Sequence, residues 1–316
     1  MIRMVMASAF LVLPTAAFAQ EALYKSYIEA ANKALQAGEW KEVEKMAKLA
    51  DKEAAGFKAD DPRKNYSNNL LASAYRAQSR YAEAIELYKK GLANAEAMGA
   101  NNIYIAFQAE TFGNLYVNLG RTDLAEPLMR QSLKVFESQP KPANWLIALG
   151  LRGVGICLFM DGKHDEAEAT FKQALKLLET EPNRQPQAGL ALMWLAKVYI
   201  STDRAKEAEA LTKQGLAIYV ESKVGGTMLA RGLFARAEAL VATGKPTEAA
   251  KSYKEGLDLF TASGASVTDS PDLIPVLTAY AKLLRADKKV AEATKLEARA
   301  ADLKVKLDKG REALPK

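Results

Sequence analysis

The sequence predicts an all-α repeat solenoid of about seven antiparallel helix pairs, and three observations predict it. The first is a recurring step, Glu42-Val43, Glu83-Ala84, Leu124-Ala125, Glu166-Ala167, Glu207-Ala208, Glu248-Ala249 and Glu292-Ala293, whose second residues stand 41, 41, 42, 41, 41 and 44 positions apart. The second is a pair of small-residue columns in register with these anchors: Ala31, Ala72, Gly113, Gly155, Ala196, Ala237 and Ala281 twelve residues before, and Ala50, Gly91, Ser132, Ala174, Gly215, Gly256 and Ala300 seven after. The third is a pair of large-residue columns, Tyr75, Tyr116, Leu158, Tyr199, Leu240 and Leu284 nine before the anchor and Leu92, Leu133, Leu175, Leu216 and Leu257 eight after it. Self-similarity at a fixed period of about 20 to 50 residues marks a solenoid or a propeller. Small residues let two helices approach, and the large residues between them fill the grooves.

Each repeat reads as helix, tight turn, helix. Gly38, Gly120, Gly162 and Gly244 stand five residues before an anchor, where glycine ends the first helix cheaply. The Glu before the anchor then falls in the first turn of the second helix, at the positive end of its dipole. The repeats run approximately over 21–60, 61–100, 101–142, 143–185, 186–225, 226–270 and 271–308, one solenoid over 20–308. Longer connections at 137–144, 179–187 and 263–272 each carry proline and read as joints within one array. The end repeats look like caps: Ala47 replaces the aromatic in the first, and in the last Glu297 and Lys304 occupy sites that hold Tyr88, Phe171 and Tyr253, or Phe136, Tyr219 and Phe260, in inner repeats. Solenoid ends need polar faces. Residues 309–316 read as a frayed C-terminal tail.

Gly113-Asn114-Leu115-Tyr116 and the run from Tyr81 to Tyr88, Tyr-Ala-Glu-Ala-Ile-Glu-Leu-Tyr, resemble the tetratricopeptide repeat (TPR), whose signature places large and small residues at fixed offsets across two antiparallel helices. The period exceeds the usual length of about 34 by seven or eight residues, about one extra turn per helix, and is similar to the long repeats of kinesin light chain and its many bacterial relatives, in a chain expected to be exported. HEAT and armadillo arrays share a period near 40 but lack the Gly-then-Glu-Ala turn. The resemblance covers 21–308. It implies a right-handed α-α superhelix and a protein-binding role, because its motif residues are packing residues.

The first twenty residues read as a secretory signal: Arg3, an apolar run from Met4 to Leu13, Pro14, then Ala17-Phe18-Ala19 before Gln20. Cleavage is expected after Ala19, and the run is too short to span a bilayer, which takes roughly 20 residues. A bacterial periplasmic protein with no membrane span in the mature chain is expected. Removing 1–19 takes away one positive charge, so the formal +6 becomes +5. That mild and mixed charge, without a basic stripe interleaved with aromatics, argues against a nucleic-acid partner.

No residue set for catalysis, metal or cofactor stands out. His164, the single histidine, lies three residues before its anchor where other repeats carry Trp40, Tyr81, Thr122, Ala205, Pro246 and Val290, a variable packing position with no nucleophile or orienting partner. Cys157 replaces Lys33, Ala74, Leu115, Val198, Ala239 and Leu283 and reads as a small buried group; a lone cysteine could pair only between chains. The carboxylates Glu166 and Glu168, or Glu207 and Glu209, recur from repeat to repeat and read as a helix start on a solvated face, since residues two apart on a helix do not face each other. No phosphate loop, zinc spacing or calcium loop occurs.

A partner is therefore expected on the concave wall, lined by the first helix of every repeat, which in the resembled family grips extended peptides or a partner helix. Positions fifteen, eleven and eight before the anchor, with their neighbours, supply the candidate binding residues. Asn69, Arg76, Asn114, Asn118, Arg152, Lys197 and Arg231 offer donors, while Phe159, Met193, Trp194 and Phe234 offer apolar contact. The expected function is a non-catalytic scaffold or adaptor binding a protein or peptide there. The alternative is a self-assembling or regulatory subunit of an envelope complex without a peptide groove.

Overall fold

The computed structural model describes residues 2–58, 61–99, 101–181, 185–262 and 271–312, and all its regular elements are helical. Among the described residues the helices are α1 (Ile2–Ala37), α2 (Trp40–Ala54), α3 (Arg63–Ala77), α4 (Tyr81–Ala97), α5 (Ile103–Asn118), α6 (Thr122–Glu137), α7 (Asn144–Met160), α8 (His164–Leu178), α9 (Gln185–Ser201), α10 (Ala205–Glu221), α11 (Gly226–Ala242), α12 (Pro246–Ala262), α13 (Leu273–Ala286) and α14 (Val290–Glu312). Consecutive odd and even helices pack as pairs, and within each of two compact units the pairs stack in order. They gather into an N-terminal lobe, 1–98, holding α1 to α4, and a C-terminal lobe, 99–316, holding α5 to α14. Helix α1 runs unbroken through Ala19. Among the described residues no helix is long and apolar enough to cross a membrane.

All seven turns within pairs use one stop. The residue five before the anchor is left-handed in each: Gly38, Gly120, Gly162 and Gly244, but also Ser79, Asp203 and Lys288, with φ from 59° to 75°. The next residue's N–H donates five residues back, as in Glu39 to Ala34, Arg80 to Tyr75, Arg204 to Tyr199 and Lys289 to Leu284, closing the helix on its own last carbonyls. The glycines betrayed four of these turns in the sequence, and backbone geometry alone reveals the rest. A left-handed conformation costs a residue other than glycine about 1–2 kcal/mol. Lys288→Gly is thus expected to stabilise the chain by about 1 kcal/mol, after part of the gain is offset by the greater freedom of glycine in the unfolded chain, as an upward shift in the urea midpoint.

The small-residue columns lie at the helix contacts. Ala84, Ala125, Ala167, Ala208, Ala249 and Ala293 are fully buried, as are Ala31, Ala72, Ala196 and Ala237. A Cβ on Gly155 would stand 2.8 Å from the Phe171 ring, and one on Gly150 would stand 2.9 Å from the Leu133 Cα, so α7 lies too close to α6 and α8 for larger side chains. The rings of Tyr88, Phe136, Phe171, Tyr219, Tyr253 and Phe260 fill the space between, each almost wholly removed from water.

Ion pairs tie successive pairs together across a spacing of 36 residues. In the N-terminal lobe Arg80 donates to Glu44 at 2.9 Å and lies over the Tyr75 ring at 4.0 Å. Burial works to raise Glu44, yet hydrogen bonds from Lys48, Gln78 and Arg80 bring it down to about 2. The C-terminal lobe repeats the device with Arg204 on Glu168 at 2.8 Å and over Tyr199 at 3.6 Å, and with Lys245 on Glu209 at 2.6 Å. Glu168 and Glu209 therefore do not sit on a free solvated face, as their recurrence suggested. They hold the following repeat, because the stacking brings the residue four before the next anchor over them.

Within the C-terminal lobe the first helices of successive pairs touch one another, α5 with α7, α7 with α9 and α9 with α11, and no comparable contact joins the second helices among the described residues. Closer packing on the first-helix side makes that side the inside of the curve. At the far end α14 continues to Glu312, past the 308 expected from the sequence, with Gly310 buried. Arg311 Nε donates to the Leu119 carbonyl oxygen at 2.7 Å, capping the end of α5 with a cation where the helix dipole is negative. Residues 313–316 of the expected tail, and 182–184 and 263–270 of the two later joints, lie outside the described residues.

Candidate functional site

The inner wall of the C-terminal lobe begins with two groups that share one register position. Glu110 on α5 and Arg152 on α7 both stand fifteen before their anchors, so the stacking of pairs sets them side by side, and Arg152 Nη2 donates to Glu110 Oε1 at 2.8 Å. Both are largely buried. Burial pushes the Glu110 carboxyl above the usual carboxylate range, against the pull of the Arg152 charge and of hydrogen bonds from Arg152 and Asn114. The Arg152 Nε is buried without a hydrogen-bond partner.

Further along, the same logic pairs position eleven before the anchor in successive repeats. Lys197 on α9 donates to Glu238 on α11 at 2.8 Å, and the Lys197 ammonium lies 5.7 Å from the Trp194 ring centre. Arg231, exposed on α11, pairs with Asp272 at 2.7 Å. Arg152, Lys197 and Arg231 were expected to be free donors for a partner; inside the chain each already has a carboxylate. These three cations are therefore matched within the chain.

Between these two ion pairs opens an apolar cavity of about 150 Å³, walled by Met193 and Trp194 of α9, Tyr219 of α10, Phe234 of α11 and Val276 of α13. Met193 and Phe234 are buried core side chains that present one edge to it: their other atoms press on α10 and α12, where a Cβ on Gly215 or Gly256 would stand 2.6 or 2.5 Å away. Trp194 is half-buried, stacked 6.5 Å above the Phe171 ring at 13° and edge-on to Phe159 at 6.0 Å. The structure thus brings together Met193, Trp194, Lys197, Arg231 and Phe234, with Phe159 next to them.

The remaining candidates lie apart. Asn114 serves Glu110, and Asn118 is half-buried in the last turn of α5. Asn69 and Arg76 belong to α3 of the N-terminal lobe, where Arg76 is exposed and Asn69 keeps a buried Oδ1 without a hydrogen-bond partner. Sequence reasoning passed over Glu110, although its register position matches Arg152, Met193 and Phe234. Tyr219 was read only as core, because the same position elsewhere holds Phe136 and Phe260.

The two residues with reactive side chains are packing groups here. Cys157 is fully buried, and burial pushes its thiol up to about 12. His164 begins α8 with its ring 5.6 Å from Phe159.

The tetratricopeptide repeat profile matches residues 65–138, 106–180 and 146–221. No curated protein matches the chain in sequence. Among solved structures, aspartyl phosphate phosphatase F from Bacillus subtilis is 15% identical, with a TM-score of 0.70 over 94% of this chain and 74% of its own. The Rap conjugation gene regulator of plasmid pLS20, in complex with the Phr* peptide, is 13% identical, with a TM-score of 0.59 over 95% and 98%. BtubC from P. vanneervenii is 15% identical, with a TM-score of 0.53 over 71% and 91%. At these identities the likeness is one of fold.

Proposed function

Because the chain is a tetratricopeptide-repeat protein, we propose that it is a non-catalytic scaffold or adaptor of the bacterial periplasm, binding a peptide or partner protein on the inner wall of its C-terminal lobe. The observation that carries this reading is the cavity on that wall, where apolar side chains from three successive first helices meet between two ion pairs. An apolar recess with a few placed polar groups is the usual form of a binding site. The similar pLS20 regulator was solved with a peptide bound, which supports a peptide as the occupant. The N-terminal signal reading supports export, and Gln20, the first residue after Ala19, is built into the N-terminal lobe through a hydrogen bond from its amide to the Glu53 carbonyl oxygen at 2.6 Å. A scaffold role without chemistry agrees with Cys157 and His164 being spent on packing.

A photo-crosslinking amino acid tests the wall in living cells. Placed at Phe159, half-buried on the inner side, it is expected to capture a partner from the cell envelope; placed at Val220, exposed on α10, it is expected to capture none. Capture from Val220 alone, or a second copy of this chain as the captured species, would reject the inner-wall reading. Fractionation with N-terminal sequencing is expected to find Gln20 as the first residue in the periplasm, and an uncleaved cytoplasmic chain would reject export.

A further inference from the structure

The contacts of the C-terminal lobe run in a ring. Along its inner wall α5, α7, α9 and α11 touch in succession, α13 shares one apolar core with α11 and α12, and α14 packs against α13. The end of α14 then returns to the end of α5, where Arg311 Nε meets the Leu119 carbonyl oxygen at 2.7 Å. The inner wall, being the inside of the curve, faces the interior of that ring.

Helix α14 has the length for this return: 23 residues, against 15 to 17 in the other second helices. In the antiparallel pair Val290 stands opposite Ala286, so Leu303 comes level with Leu273, where α13 begins. Beyond that point Leu307 and Gly310 are still buried, so the overhang is packed and not frayed. The receiving turn leaves room for the guanidinium. A Cβ on Gly120 would stand 2.5 Å from Arg311 Nη2, whereas one on Gly162 or Gly244, at the same place in later turns, would meet nothing within 4 Å.

The closing link is also the weakest in the ring. The other links are helix faces in contact, but among the described residues no extended face joins α14 to α5. This link rests on a side chain 43% exposed, holding a carbonyl at the negative end of the α5 dipole. A charge-assisted bond of this kind is firm when made, and at the surface water can replace it.

We propose that Arg311 is a latch: bound to Leu119 it holds the C-terminal lobe as a closed ring that keeps folded proteins from the inner wall, and its release admits them. A slender occupant such as an extended peptide needs no release. This adds regulation to the inner-wall reading and rests on it only for the identity of what enters.

The test uses the purified protein with Cys157→Ala, a change that Ala74 and Ala239, fully buried at the same register position, show to be accommodated. Spin labels at Thr111 on α5 and Val305 on α14, both exposed, report the ring. One narrow distance is expected; Arg311→Ala lengthens and broadens it, and Arg311→Lys, which keeps a cation at the helix end, changes it less. Lys309→Ala, exposed on the same overhang, is expected to leave it unchanged. For access, Phe159→Cys is reacted with N-ethylmaleimide and with a maleimide carried on a small globular protein. Arg311→Ala is expected to leave the first rate unchanged and to raise the second about three- to tenfold, the population shift that losing one hydrogen bond supports. Equal distances with and without Arg311, an unchanged rate for the protein-borne reagent, or equal acceleration of both reagents, which is the mark of a loosened fold, would each overturn the latch. Neither readout needs a partner. A latch that opens while Phe159 crosslinks nothing from the envelope therefore removes the inner-wall function and leaves the latch; capture from Phe159 with no effect of Arg311→Ala does the reverse.

Discussion

Arg152→Met lowers the unfolding free energy at neutral pH by about 3–5 kcal/mol, the expected result of removing one partner from a buried ion pair. The methionine fills much of the same space, so the loss is electrostatic: Glu110 stays behind, its side chain only 8% exposed, with Asn114 as its remaining support. Its carboxyl is already raised by burial, and losing the guanidinium raises it further. An acid whose folded pKa lies above its unfolded value of 4.5 binds protons more tightly when folded. The penalty is therefore smallest at acid pH, where both states are protonated, and grows as pH rises from 4.5 through the folded pKa. Urea unfolding of the variant at a series of pH values checks the sign; a loss independent of pH would show that packing, not charge, is responsible. The double change Glu110→Gln with Arg152→Met is expected to recover most of the stability, since replacing a whole buried pair costs far less than breaking it.

Phe171→Ala is the second large loss, about 3–5 kcal/mol. The ring is fully buried, lies against Gly155 of α7 and carries the Trp194 ring above it. Removing it leaves a cavity where α7, α8 and α9 meet and takes the floor from under Trp194, a wall of the inner-wall cavity. Thermal unfolding reads the first effect, and the intrinsic fluorescence of the folded chain reads the second as a change in the Trp194 surroundings. A loss below about 1 kcal/mol would mean that the neighbours collapse into the gap, and would contradict the tight packing inferred from the Gly155 contact.

The architecture was open to sequence reading because it rests on periodic, local facts. Alanine and glycine at fixed offsets from each anchor have little use besides close helix approach, and the structure buries them at the helix contacts. The turn at Gly120 was visible because only glycine adopts its backbone freely; Ser79, Asp203 and Lys288 adopt the same conformation with no compositional mark, their repeats being stable enough to carry the cost. The candidate site was legible as a list of inner-wall residues and not as a set of paired charges around a cavity. Met193, Trp194, Lys197, Arg231 and Phe234 were named by register, but register does not tell which cations are already spoken for.

By itself, the order of residues determined the helix pairs, their number and their contact faces, because those follow from spacing along one chain. Only tertiary structure decided that Arg152 meets Glu110, that Lys197 meets Glu238, that Arg311 caps the end of α5 across 192 residues, and that the Tyr219 hydroxyl is buried unpaired. The physical reason is that hydrogen bonds and ion pairs reach only about 3 Å. Register brings such positions to neighbouring places on stacked helices, but which side chains fall within that reach depends on how the helices turn relative to one another.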